Sequence, residues 1–151
     1  MQPKSHTASC LFCRIARGEL TAHPVHEGER IFAFLDICPI RPGHLQIVPR
    51  AHYAYFDDLP ADLAAEIVQL GQKLAAALKR TYGVKRVAFL FTGGDVPHAH
   101  AHVVPLVSPV DITSRRYIAE PKLTFRSTPR IADEELSATA ATLRSQLATP
   151  C

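Results

Sequence analysis

The sequence predicts an α+β domain built on an antiparallel sheet, and three observations carry that expectation. Short apolar or alternating runs bounded by proline and glycine read as strands, and one long stretch with 3.6-residue periodicity reads as a helix. Strands mixed with two helices in an antiparallel order are the mark of the α+β class. Finally, Pro97-His98-Ala99-His100-Ala101-His102-Val103-Val104-Pro105 places three histidines at every second residue. In extended backbone that spacing turns all three imidazoles to one face and leaves alanine and valine on the other, small enough to lie close against a second layer.

The elements follow in order. Residues 9–17 are expected to form a short helix, and Ile31–Asp36 and His44–Pro49 to form strands joined by a loop that contains Pro39, Pro42 and Gly43. Leu63, Ile67, Leu70, Leu74 and Leu78 recur at helical steps, which predicts a helix from about Pro60 to Tyr82, with Asp57 or Asp58 to cap it and Gly83 to end it. Gly71 inside that helix costs about 1 kcal/mol relative to alanine, which points to close packing on its face. Arg86–Phe91 reads as a buried strand, and a tight Thr92-Gly93-Gly94-Asp95 turn would lead it into the histidine strand as an antiparallel pair. A polar, proline-punctuated stretch runs to Pro129. A second helix is expected from about Asp133 to Leu147, with Leu136, Ala140, Leu143 and Leu147 on one side. The expected whole is a sheet of about five strands with its helices on one face.

At 151 residues the chain suits a single domain, read here as a motif-bearing core over 9–106 and a C-terminal extension over 107–151. The net charge of +3, with acids and bases interspersed, is too mild for a duplex-binding surface yet compatible with a small phosphate-bearing ligand. The N-terminus lacks an apolar signal core and there is no run of about 18 apolar residues, so no membrane association is expected and a cytoplasmic location is. Of the four cysteines, Cys10 and Cys13 stand in the C-x-x-C spacing of metal or redox sites, whereas Cys38 and Cys151 read as ordinary thiols.

A buried imidazole needs partners on its nitrogens, so three on one face exceed what a plain core accepts. Reach argues against one zinc held by all three: at about 3.3 Å per residue, His98 and His102 lie roughly 13 Å apart along the backbone, so at most two neighbours could easily share an ion. His98-Ala99-His100-Ala101-His102-Val103-Val104 resembles the defining motif of the histidine triad (HIT) family. Cys10-Leu11-Phe12-Cys13-Arg14-Ile15, Gly18-Glu19-Leu20, Ala33-Phe34-Leu35-Asp36-Ile37, Pro42-Gly43-His44 and Ile47-Val48-Pro49-Arg50-Ala51-His52 look like that family's N-terminal blocks, in order and similarly spaced.

The resemblance implies a homodimer whose sheets join across the interface, and an enzyme that hydrolyses or transfers nucleotidyl groups at an α-phosphate. It assigns His100 as the nucleophile, forming a nucleotidyl-histidine that water resolves, and His102 as the group that stabilises phosphate charge, as imidazolium or as a neutral donor. No catalytic metal is required. Asp36 matches the carboxylate that accepts hydrogen bonds from ribose hydroxyls, and Leu11, Phe12, Ile15, Phe34 and Ile37 match an apolar slot for a purine base, although these types would equally suit a core. Cys10, Cys13, His52 and His98 match a structural zinc tetrad of some relatives, and two thiolates with two imidazoles suit tetrahedral zinc. Ahead of the triad the family's longer Gly-rich loop, with Gln and Ser or Thr near the leaving group, is replaced by Gly94 and Asp95. Asp95 would either repel a polyphosphate leaving group and favour an amine, or cap the turn before Pro97. The family's asparagine is also missing, and Thr92 would replace it in part. The implied substrate is therefore a purine phosphoramidate, an adenylylated compound or a dinucleoside polyphosphate. The alternative is a nucleotide-binding regulatory protein with little catalysis.

Overall fold

A computed structural model describes residues 7–94, 96–112 and 127–148. Asp95, Cys151 and residues 113–126 of the extension lie outside the described residues. The elements are α1 (Leu11–Ala16), β1 (Pro24–Glu27), β2 (Ile31–Leu35), β3 (Leu45–Pro49), α2 (Ala61–Tyr82), β4 (Arg86–Phe91), β5 (Ala101–Leu106) and α3 (Asp133–Leu147). The strands form one antiparallel sheet in the order β1-β2-β3-β5-β4, the α+β architecture expected.

Period-two alternation divides the apolar residues between two layers. Ile31, Ala33, Leu35, Leu45, Ile47, Ala101 and Val103 meet Leu63, Ile67, Leu70, Leu74 and Leu78 of α2 and Leu136, Ala140 and Leu143 of α3 in the main core. Phe32, Phe34 and Val48 point the opposite way and enclose Cys10, Phe12 and Cys13 of the α1 segment. Alanine recurs where strands must approach α2, and Ala33, Ile47 and Ala101 are register neighbours across β2, β3 and β5. Helices therefore lie on both faces rather than one. The long pair covers the main core, and α1 covers the face that carries the histidines.

Several local expectations need correction. Four strand positions were identified from the sequence, and β1 was not, because Pro24 and a register shift between Pro24 and His26 break its alternation. Asp57 and Asp58 do not cap α2: they lie in a 3-10 turn over Phe56–Asp58, where the Asp58 carboxylate accepts the Tyr55 N–H at 3.1 Å, and Pro60 holds the N-cap position. The link between β4 and β5 is not a tight turn, since β5 starts only at Ala101 and His98 and His100 precede it. Gly83 ends α2 as expected, left-handed at φ 64°, and donates its N–H to the Lys79 carbonyl. Gly71 packs beneath the Phe89 ring, where a Cβ has no room. His23 pins α3 to the sheet, its two ring nitrogens 3.1 Å from Asp133 Oδ1 and 3.2 Å from Ser137 Oγ. No described helix is long and apolar enough to cross a membrane.

Gly43 lies in the β2–β3 loop at φ +90°, and a Cβ there would sit 2.9 Å from Leu78 Cδ2 and collide with the Tyr82 ring. Left-handed strain of about 1–2 kcal/mol adds to an overpacking cost of about 1–3 kcal/mol. Gly43→Ala should therefore lower unfolding free energy by about 2–5 kcal/mol in a urea titration, whereas Gly18→Ala, with open space around its Cβ position, should lose only the backbone part.

Candidate active site and metal centre

Cys10 at the start of α1, Cys13 within it, His52 after β3 and His98 before β5 converge although they lie up to 88 residues apart. His98 Nδ1 lies 3.4 Å from both Cys10 Sγ and Cys13 Sγ, and His52 Nδ1 lies 3.4 Å from Cys13 Sγ. His98 is fully buried, and its Nε2–H donates to the Pro49 carbonyl at 2.9 Å. That bond places the ring proton on Nε2 and leaves the Nδ1 lone pair facing the sulfurs. Tetrahedral zinc with bonds of about 2.3 Å to sulfur and about 2.05 Å to nitrogen requires S···N separations of about 3.5 Å, so the four donors fit such an ion with little movement. Burial, reinforced by Cys10, pushes the Cys13 thiol up to about 11, and burial lowers His98 to about 4. A divalent cation would supply the charge that favours the thiolates, and a neutral imidazole is already the ligand form.

The next residue with a ring on this face is His100, buried at 6% exposure. Its Nδ1–H donates to the His98 carbonyl at 2.7 Å, and among the described residues its Nε2 has no hydrogen-bond partner. The ring stands edge-on to Phe12 of α1, with centroids 5.0 Å apart. A cavity of about 190 Å³ is lined by residues 54–57, 91–93 and 98–100.

His102 belongs to β5, opposite Gln46 of β3, and its ring centroid lies 5.0 Å from that of His100. The Ile40 N–H donates to His44 Nδ1 at 3.2 Å, which leaves His44 with its proton on Nε2. That proton points at His102 Nδ1, 2.9 Å away, so His102 in turn carries its proton on Nε2, 3.3 Å from Thr92 Oγ1. Asp36, His44 and His102 are close enough together to be weighed as a second metal site. An ion on His44 Nε2 would force a proton onto Nδ1, against the Ile40 N–H, so the group works as a hydrogen-bond relay. Burial, with His44 and His100 nearby, lowers His102 to about 4, which makes it a neutral donor rather than an imidazolium. His44 is also shifted down by burial.

A model of the HIT domain matches residues 17–108. The chain belongs to the HIT family. It is 36% identical over 100 residues to an uncharacterised HIT-like protein of Methanocaldococcus jannaschii, covering 64% of this chain and 78% of that one. It is 33% identical over 104 residues to an adenosine 5′-monophosphoramidase of Saccharomyces cerevisiae, covering 68% and 66%. A Zn-bound histidine triad family protein of Mycobacterium smegmatis superposes with a TM-score of 0.71 at 28% identity, over 94% of this chain and 95% of that structure.

The remaining residues assigned from the HIT resemblance divide. Asp36 lies after β2 near the triad, with Oδ1 accepting the Cys38 N–H at 2.8 Å and Oδ2 accepting from Gln46 Nε2 at 2.7 Å. Phe12, Ile15 and Phe34 come together, but Phe12 and Phe34 are buried in the smaller core. Leu11 and Ile37 are exposed at 46% and 45%, unused by the core. Asp95 lies outside the described residues. His44 and Gln46 were not picked out as site residues. Their signal was available, since Gln46 alternates with two buried apolar residues in β3 and His44 directly follows a Pro-Gly turn.

Both His44 and His102 resist protonation when folded, so the unfolded chain binds more protons than the folded one below the ordinary histidine value of about 6.5. Their contribution to stability is complete above that pH and is lost as pH falls toward about 4. Thermal midpoints should drop between pH 7 and pH 4.5, and the drop should be smaller in His102→Asn.

Proposed function

We propose that the protein is a nucleotidyl hydrolase that cleaves a purine nucleoside 5′-phosphoramidate, or a related conjugate, at the α-phosphorus. The observation that carries this reading is the His100 Nδ1–H bond to the His98 carbonyl, which keeps the Nε2 lone pair available and aimed. The adenosine 5′-monophosphoramidase named above supports the choice of a P–N bond. In the reaction, His100 Nε2 forms a bond to phosphorus and the P–N bond breaks, with the amine leaving after taking up a proton. Water then attacks the nucleotidyl-histidine, releasing the nucleoside 5′-monophosphate and restoring the free ring. The His102 Nε2–H donates to a non-bridging oxygen as charge gathers there, with Thr92 as its neighbour when no substrate is present. Asp36 accepts the ribose hydroxyls, and the exposed Leu11 and Ile37 flank the base over the edges of Phe12 and Phe34.

Cys10, Cys13, His52 and His98 would hold a structural zinc ion, which supplies a rigid tie between α1 and the segment before β5 and takes no part in bond breaking. The exposed Phe89 on β4, an outermost strand, and the exposed Val68 on α2 support a homodimer joined along that edge.

His100→Ala and His100→Asn should abolish turnover of adenosine 5′-phosphoramidate while AMP affinity stays within about tenfold, roughly 1.4 kcal/mol. Rapid quenching without acid should show a nucleotidyl adduct on wild-type His100 by intact mass and peptide mapping. Binding with neither adduct nor turnover would instead select the regulatory reading. His102→Asn should lower kcat by about 10²–10³-fold, the loss expected of one charge-stabilising donor. Chelation of the purified protein should lower its thermal midpoint by about 5–15 °C, equivalent to about 2–4 kcal/mol, and should leave turnover at 15 °C within about tenfold for the molecules that remain folded. Loss of turnover without loss of stability would contradict the structural role.

A further inference from the structure

The loop between β2 and β3 carries the turn that sets Asp36, yet it has no regular structure of its own and contains two prolines. Among the described residues, residues 37–41 of this loop are held by three contacts, four hydrogen bonds in all, from beyond the 17–108 HIT match. Arg41 donates from Nη2 and Nε to Asp111 Oδ1 at 2.7 and 3.0 Å. Thr128 Oγ1–H donates to the Cys38 carbonyl at 2.6 Å, and the Ile131 N–H donates to the Ile37 carbonyl at 2.9 Å. Asp111 is itself fixed, since its Oδ2 accepts the N–H groups of Val107 and Ser108 at 2.8 Å each and its side chain is only 5% exposed.

Cys38 and Ile37 are the residues through which the loop bears on a nucleotide. The Cys38 N–H orients the Asp36 carboxylate, and the half-exposed Ile37 side chain follows it directly. We propose that Arg41, Asp111 and Thr128 are positioning residues for nucleotide binding: they clamp the 37–41 loop so that Asp36 and Ile37 are already arranged before ribose and base arrive. This rests on the hydrolase reading above and adds to it a function for the segment after β5. A loop released from the clamp must be ordered by the ligand, and that ordering cost falls on affinity rather than on the bond-breaking step. Arg41 brings two N–H donors of its planar guanidinium to one oxygen, Asp111 Oδ1, an arrangement that lysine does not reproduce, so Arg41→Lys should restore only part of the effect.

The test uses Arg41→Met and the double variant Arg41→Met/Thr128→Val in the full chain. AMP and GMP affinities are measured by calorimetry, kcat and KM with adenosine 5′-phosphoramidate, and folding by thermal melting. The double variant should raise both the AMP Kd and KM about tenfold with kcat within twofold. Arg41→Met should raise them by a smaller factor, and Arg41→Lys should lie between Arg41→Met and wild type. Unchanged Kd and KM in folded variants overturn the clamp and leave the hydrolase reading intact, as does a fall in kcat at constant KM. If wild type binds neither nucleotide, both fall together. If it binds AMP without turning over the phosphoramidate, the hydrolase reading alone fails and the Kd series still decides the clamp.

Discussion

Everything concerning the central histidine depends on how His98 is held. Its side chain is fully buried and locked from both nitrogens, one facing two cysteine sulfurs and the other donating to the Pro49 carbonyl. A side chain fixed in this way fixes its own backbone, and the His98 carbonyl is the acceptor that orients His100. The cysteine–histidine knot and the proposed nucleophile are therefore two residues apart in sequence and one hydrogen bond apart in mechanism. Releasing the knot would free α1, remove the Phe12 edge from the His100 ring and let the carbonyl turn away.

Two neighbouring rings on one face are driven into opposite tautomers by backbone groups. A carbonyl acceptor puts the His100 proton on Nδ1 and leaves Nε2 bare, the form suited to attack. A backbone donor, the Ile40 N–H, acts through His44 to put the His102 proton on Nε2, the form suited to stabilising an oxyanion. Burial keeps His102 neutral in this role, so the division of labour between the two rings follows from hydrogen-bond direction rather than from a charged His102.

Much of this was legible in the sequence because it depends on local periodicity or on spacing that topology preserves. The leucine steps of α2, the left-handed Gly83 that ends it and the boundaries of α3 follow from short-range patterns. The C-x-x-C pair and the alternating histidines likewise announce convergence once a sheet brings them together. Other features depend on tertiary partners and were not legible. β1 is held by pairing with β2 rather than by its own propensity, and Asp58 caps a turn that periodicity does not reveal. The second role of the β2–β3 loop was hidden because the three contacts that hold it reach residues 70 to more than 90 positions away. His44 reads in the sequence as the first residue of a strand, and its part in the site appears only when His102 is placed 2.9 Å from it.

The tautomers themselves are directly measurable. Long-range proton–nitrogen correlation spectra of the imidazole rings near pH 7.5, with rings assigned by single substitutions, report which nitrogen carries the proton. The account predicts a neutral His100 protonated on Nδ1 and neutral His44 and His102 protonated on Nε2. A His100 ring protonated on Nε2 would leave no lone pair where attack requires one, and would contradict the account at its centre.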